Sequence, residues 1–319
     1  RAAIDRAELI GLAASVLRVE APRAGGGFSL GSAVVVAPEK VITNCHVTRD
    51  SREVSVVRGG VRWQATAQAS DTAHDLCLLV VPGLKAQAVR LGRAAALKLG
   101  QAVTALGYTG GAAIQSSDGE VVDLHRFDGS RVIQSSNWFS SGASGGGLFD
   151  DQGELVGVLT FRLRGGEQHY FAAPVDWITP LLDEAERHQL QSVMPLDASR
   201  LPFWQLSPAS QPRFLRAAAL IRDDRWPELA DAAREWIGPP GHETDDAEPW
   251  ALLGVALAQL GRDAEARSAL ECALSLDPDR QAARDRLARI PDRAAAAPSA
   301  RAPSPATPAC SQAARPSLP

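Results

Sequence analysis

Lysine is almost missing from this 319-residue chain: Lys40, Lys85 and Lys98 stand among 33 basic residues that are otherwise all arginine. The formal net charge is only −4, and acids and bases are mixed along the sequence, so there is no basic face of the kind that binds nucleic acid. Cysteine is scarce too. Cys45, Cys77, Cys272 and Cys310 lie far apart, with no C-x-x-C and no His/Cys group at zinc spacing, so neither a disulfide framework, a metal site nor a cofactor is expected. The first three read as small buried apolar side chains and Cys310 as an exposed thiol. No apolar run approaches the ~18 residues needed to cross a bilayer. The chain opens at Arg1, and its Met-less start carries the expectation that a signal peptide or anchor was removed.

What is present falls into two regions, as a length of 319 residues predicts when domains run to about 100–200 residues each. From about residue 14 to 175 the chain is a series of short β-like runs, among them "ASVLRVEA", "GSAVVVAP", "KVITNCHV", "DLCLLVVP" and "ELVGVLTFR", bounded by Gly, Pro, Asp and Ser. Asp128-Gly129 is a hairpin signal. "APVDWITPLLDEAERHQL" then changes to a helical period and closes the first domain at residue 190. Residues 191–211, with several prolines and no periodicity, read as a linker. A helical, Ala/Leu/Arg-rich domain follows over 212–290, and the Pro/Ala/Ser-rich segment 291–319 reads as a disordered tail.

The stretch "SSGASGGGLFD", residues 140–150, asks for a reason. By composition it is either a flexible connection or a loop whose backbone must curl closely around one serine, Ser144. A serine hydroxyl becomes a useful nucleophile only with a base that is itself oriented by a third group. His46 ends the β-branched run "VITNCHV", and Asp75 opens "DLCLLVV". Asp71 is the rival acid, in a more polar loop. His74 is expected to face away, because neighbours in a strand point to opposite sides.

Four blocks, "GSAVVVAPEKVITNCHV", "HDLCLLVV", "RVIQSSNWFSSGASGGGLFDDQGELVGVLTF" and "HYFAAPVDWI", together resemble trypsin-like serine peptidases of the HtrA/Deg type, in matching order over most of residues 14–180. The resemblance implies an all-β, chymotrypsin-like double β-barrel. It implies His46 as general base, Asp75 as the group that holds the imidazole tautomer, and Ser144 as nucleophile. It also implies that the backbone N–H groups of Gly142 and Ser144 form an oxyanion hole, worth roughly 3–4 kcal/mol per donor. Ala143 stands where such loops carry Asn or Asp. Gly147 stands where Pro or Ala is usual, which leads one to expect a more mobile oxyanion loop. The resemblance further implies a periplasmic or secreted bacterial protein.

For substrate binding, the resemblance places Thr160, Phe161 and Arg162 along the pocket wall and Trp138 and Phe139 at its base. No acid stands at the base, so a preference for Lys or Arg is not expected; an apolar pocket is, with recognition of an acidic group by Arg162 as the alternative. In the second region, Trp250, Leu253, Gly254, Leu257, Gly261, Ala266, Leu270, Ala273 and Pro278 resemble a tetratricopeptide repeat, with Ala232 and Trp236 one 34-residue period upstream. Such a repeat offers a groove for a partner or substrate peptide. Two functions stay open at this point: a serine endopeptidase that recruits proteins through its helical region, or a degenerate peptidase fold that binds extended peptides as an adaptor.

Overall fold

The computed structural model describes residues 4–110, 113–163, 170–291 and Cys310; the tail reading over 291–319 falls almost wholly outside them. The chain divides into two compact units, Arg1–Ser210 and Gln211–Pro319.

The first unit opens with helix α1 (Arg6–Ala13), which the sequence reading passed over. Its N-cap is Asp5, whose carboxylate accepts the Glu8 N–H at 2.9 Å. Strands β1 (Val16–Pro22), β2 (Phe28–Ala37), β3 (Lys40–Thr43), β4 (Ser55–Arg58), β5 (Val61–Gln64), β6 (Ala67–Asp71) and β7 (Leu76–Val80) build the first sheet, with the one-turn helix α2 (Cys45–Thr48) after β3. The sheet order is β14-β6-β7-β3-β2-β1-β4-β5, every pair antiparallel, where β14 is the short strand Gln191–Ser192. Leu17, Val19, Val35, Val41, Val56 and Leu79, alternate residues of their strands, fill its core.

A closed barrel follows, made of β8 (Ala102–Thr109), β9 (Ala113–Phe127), β10 (Ser130–Ser135), β11 (Gly147–Asp150), β12 (Leu155–Arg162) and β13 (Tyr170–Pro174), in the order β10-β13-β12-β11-β8-β9. The β9–β10 hairpin turns at Asp128 and Gly129, both with positive φ (44° and 75°), between the paired Phe127 and Ser130. That is the backbone geometry the Asp-Gly pair favours. Two consecutive β-barrel-type sheets make the chymotrypsin-like architecture, and helix α3 (Thr179–Glu186) ends it.

Residues 191–210, read from sequence as linker, belong to the first unit. Gln191 and Ser192 pair with Gln68 and Ala67 on β6, and the Leu196 N–H donates to the Arg49 carbonyl at 2.7 Å. Phe203 is 3% exposed, with its ring against Phe127, Phe161 and Trp177. Prolines without periodicity describe a strap as well as a linker; burial of Phe203 decides between them.

The second unit is helical: α4 (Arg213–Arg222), α5 (Trp226–Ile237), α6 (Ala247–Gln259), α7 (Asp263–Leu276) and α8 (Gln281–Arg289), each packed on the next. Its core joins Leu229, Ala233 and Ile237 to Trp250, Leu253, Leu257, Ala266 and Leu270. In α5 the buried positions are Leu229, Ala230, Ala233 and Ile237, whereas Ala232 and Trp236, where the 34-residue period pointed, are half-buried. No described helix is long and apolar enough to cross a membrane.

Candidate active site

His46 sits on α2, a single turn whose N-cap Asn44 directly follows β3. Asp75 lies in the turn before β7 with φ +62°, a left-handed conformation that Asp tolerates better than most residues. This turn brings the Asp75 carbonyl under α2, where it accepts the Cys45 N–H (3.2 Å) and the Asn44 side-chain amide (3.0 Å). The carboxylate then faces His46. One oxygen accepts the His46 backbone N–H at 2.8 Å, and the other meets imidazole Nδ1 at 2.6 Å. Asp75 is 1% exposed on its side chain and His46 24%, so the pair is dry on the acid side and open on the other.

The rival acid is committed elsewhere. Asp71 meets His74 Nδ1 at 2.5 Å, while His74 Nε2 meets Asp128 at 2.7 Å and the ring stacks on Trp177 at 3.9 Å. His74 does face away from His46, but the left-handed turn at Asp75 produces this, not strand alternation. Burial works against a charge on His74. The hydrogen bonds and charges of Asp71, then Asp128, outweigh it and hold its pKa above the ordinary 6.5.

Ser144 is placed by its backbone. Its carbonyl accepts the Ser32 N–H at 2.8 Å, and the Ser32 hydroxyl donates to the Gly142 carbonyl at 2.7 Å while accepting the Tyr108 N–H at 2.8 Å. Ser32 is fully buried on β2, so one serine of the first sheet fastens the Ser144 loop of the second barrel. Sequence reasoning passed over it as one strand residue among many; its place directly after Gly31 in "GSAVVV" was the available signal. Gly145, at φ +88°, is pressed so closely between the sheets that a Cβ there would lie 2.0 Å from the Ser32 carbonyl oxygen. Ala143, Gly145 and Gly146 spend their N–H groups inside the fold. Among the described residues, those of Gly142 and Ser144 meet no protein acceptor, and no Ser144–His46 side-chain hydrogen bond is formed.

Gly147, from which a mobile oxyanion loop was expected, is a strand residue of β11 paired with Leu106 and Val158. The Phe149 ring lies where its Cβ would be, at 2.4 Å, so close packing explains the glycine there.

The five expected substrate-binding residues part company. Trp138 and Phe139 line a recess with Ala143, Leu159 and Ser117, next to the Ser144 loop, and no charged side chain among the described residues lines it. Thr160 does not reach it. That side chain is 1% exposed, donates to the Val158 carbonyl at 2.7 Å and accepts from Asn44 at 3.3 Å. Phe161 is likewise closed off, its ring stacked between Phe171 (4.7 Å) and Trp204 (5.1 Å), whereas Arg162 is exposed.

Cys45 and Cys77, expected as small buried apolar side chains outside any disulfide, form a disulfide with Cα atoms 5.0 Å apart. They are 32 residues apart in sequence, but antiparallel pairing of Thr43 with Cys77 brings β3 and β7 together there. Cys272 and Cys310 are free.

With this geometry in view, known proteins are informative. Residues 31–158 match the family described as trypsin-like peptidase domain. The serine protease HTRA4 of Mus musculus is 30% identical over 185 residues, 54% of this chain and 38% of the relative. A probable periplasmic serine endoprotease DegP-like of Ectopseudomonas mendocina is 34% identical over 172 residues, 49% of this chain and 36% of that one. The chain thus spans little more than a third of the length of these relatives. Among solved structures, the HtrA-type protease AlgW with a tripeptide is similar at 28% identity and a TM-score of 0.52, over 57% of this chain and 63% of that chain. The active form of the Rv3671c protease from M. tuberculosis shares the fold, at 23% identity and a TM-score of 0.53 over 60% of this chain and 86% of that one.

Proposed function

From a chain that carries a trypsin-like peptidase domain similar to those of HtrA proteases, we propose a serine endopeptidase acting through His46, Asp75 and Ser144. One observation carries the reading: the buried Asp75 carboxylate holds both the backbone N–H and the Nδ1 of His46. Nδ1–H is thereby the proton donor to Asp75, which leaves Nε2 as the free base on the open side of the ring. Ser144 Oγ attacks the scissile carbonyl as Nε2 takes its proton. The tetrahedral oxyanion is received by the N–H groups of Gly142 and Ser144, and Nε2 then hands the proton to the leaving amine. Water repeats the sequence in reverse to release the acyl group. The residues carry this chemistry without a metal or organic cofactor.

The substrates are proteins or peptides, and the lack of an acid near Trp138 and Phe139 favours an apolar side chain at the cleavage site. Residues 212–290, with their tetratricopeptide-like spacing, are read as the module that recruits a partner or substrate, raising its local concentration without entering the chemistry. The test is labelling by a fluorophosphonate probe, which requires an activated serine and an oxyanion hole. Wild type is expected to label and Ser144→Ala is not; a wild-type chain that folds but does not label would leave the adaptor reading in its place.

A further inference from the structure

The Asp75 carboxylate has a third donor, which lies far outside the peptidase motifs. The indole Nε1–H of Trp204 reaches Asp75 Oδ2 at 3.1 Å, the same oxygen that meets His46 Nδ1. Among the described residues it is the one side-chain donor to that carboxylate besides His46. Thr160 spends its hydroxyl on Val158, and Asn44 donates to the Asp75 main-chain carbonyl instead. The Trp204 ring also meets the imidazole of His46 edge-on, with centroids 5.6 Å apart and planes at 82°, and lies flat on Phe161 at 5.1 Å and 6°. It therefore touches both members of the pair and the strand that follows the nucleophile.

We propose that Trp204 is a positioning residue of the hydrolytic reaction, and that the strap 191–205 is a working part of the catalytic unit. The proposal rests on the serine-endopeptidase reading above. A buried carboxylate with two acceptor oxygens can rotate unless its lone pairs are occupied, and rotation of Asp75 would release the imidazole tautomer and direction that the chemistry needs. His46 supplies one N–H to each oxygen, but both come from a single residue of a one-turn helix. Trp204 adds a donor fixed from a separate segment. That segment is anchored by the Phe203 N–H on the Ala73 carbonyl (2.9 Å) and by burial of the Phe203 ring. The flat stack on Phe161 holds the indole plane, so the N–H direction is set by packing rather than by the hydrogen bond alone.

The test uses the full chain. Trp204→Phe keeps an aromatic ring and removes the donor, and replacing Trp204 by 3-(3-benzothienyl)alanine keeps the indole shape without an N–H. For both, kcat on an unstructured protein substrate should fall about ten-fold, the effect of losing one hydrogen bond to a charged group, with KM within two-fold of wild type and the melting temperature little changed. The low-field proton resonance of the His46–Asp75 hydrogen bond should shift in both. If the benzothienyl form keeps wild-type kcat and an unmoved resonance, Trp204 only fills space and the positioning role is wrong. If wild type neither turns over nor labels, the peptidase reading fails, while the resonance shift still decides whether Trp204 orients Asp75.

Discussion

Cys45 and Cys77 form a disulfide that brackets the hydrogen-bonded pair His46–Asp75: Cys45 immediately precedes His46, and Cys77 follows Asp75 by two residues. The covalent link and the 2.6 Å His46–Asp75 contact thus fix the same two chain segments to each other. Closing a loop of 32 residues removes conformational freedom from the unfolded chain worth about 3–4 kcal/mol. Cys45→Ala/Cys77→Ala is expected to melt well below wild type, and reductant to lower the wild-type melting temperature but not the double mutant's. Parallel activity assays should show a loss at temperatures where the fold persists, because α2 is freed first; unchanged activity under full reduction would refute this.

Substitution of the two candidate acids should separate them. Asp75→Asn leaves a hydrogen-bonding side chain but stabilises the wrong imidazole tautomer, so a fall in kcat of about 10⁴ is expected. Asp71→Asn disturbs only His74 and should leave kcat within a few-fold. Steady-state rates on one substrate decide it, and the reverse ranking would reassign the acid.

Ser32→Ala removes the hydroxyl that links the Gly142 carbonyl to the Tyr108 N–H across the two sheets. Both partners are then left under-satisfied, at a cost of about 1–3 kcal/mol in stability. The nucleophile loop loses a tether while His46 and Asp75 keep theirs, so kcat should fall about 10- to 100-fold. The fluorophosphonate labelling rate should fall in parallel. Ser144→Ala should leave the melting temperature near wild type, because Ser144 is tied to Ser32 through its backbone carbonyl.

His74 should make stability depend on pH in a set direction. Its folded-state pKa is raised above 6.5, so the folded form binds its proton more tightly than the unfolded chain. The resulting stabilisation is complete below about pH 6.5 and is lost as pH rises through the raised value. Melting temperatures of wild type and His74→Gln should therefore differ most near pH 6 and converge towards pH 9. A gap that widens with rising pH would contradict the Asp71–His74–Asp128 arrangement.

The chain by itself determined the features whose causes are local or repeated. The Asp128-Gly129 turn needed only two residues that accept positive φ, and short continuous apolar runs set strands such as β2, β7 and β12. The blocks around His46, Asp75 and Ser144 were legible as those of a trypsin-like domain because each sets a distinctive residue in a distinctive local context. The strands β5 and β6, with mixed and partly polar sequences, and the capped helix α1 were not legible, because neighbouring strands or a single N-cap decide them. Tertiary structure alone decided the disulfide, since the register of β3 on β7 brings Cys45 to Cys77. It also decided that Ser32 holds the nucleophile loop and that Trp204, in a proline-rich stretch without periodicity, reaches Asp75. The physical reason is common to all three. Each contact joins residues far apart in sequence, and its energy depends on distances that exist only after strands, loops and the 191–205 strap have assembled in three dimensions.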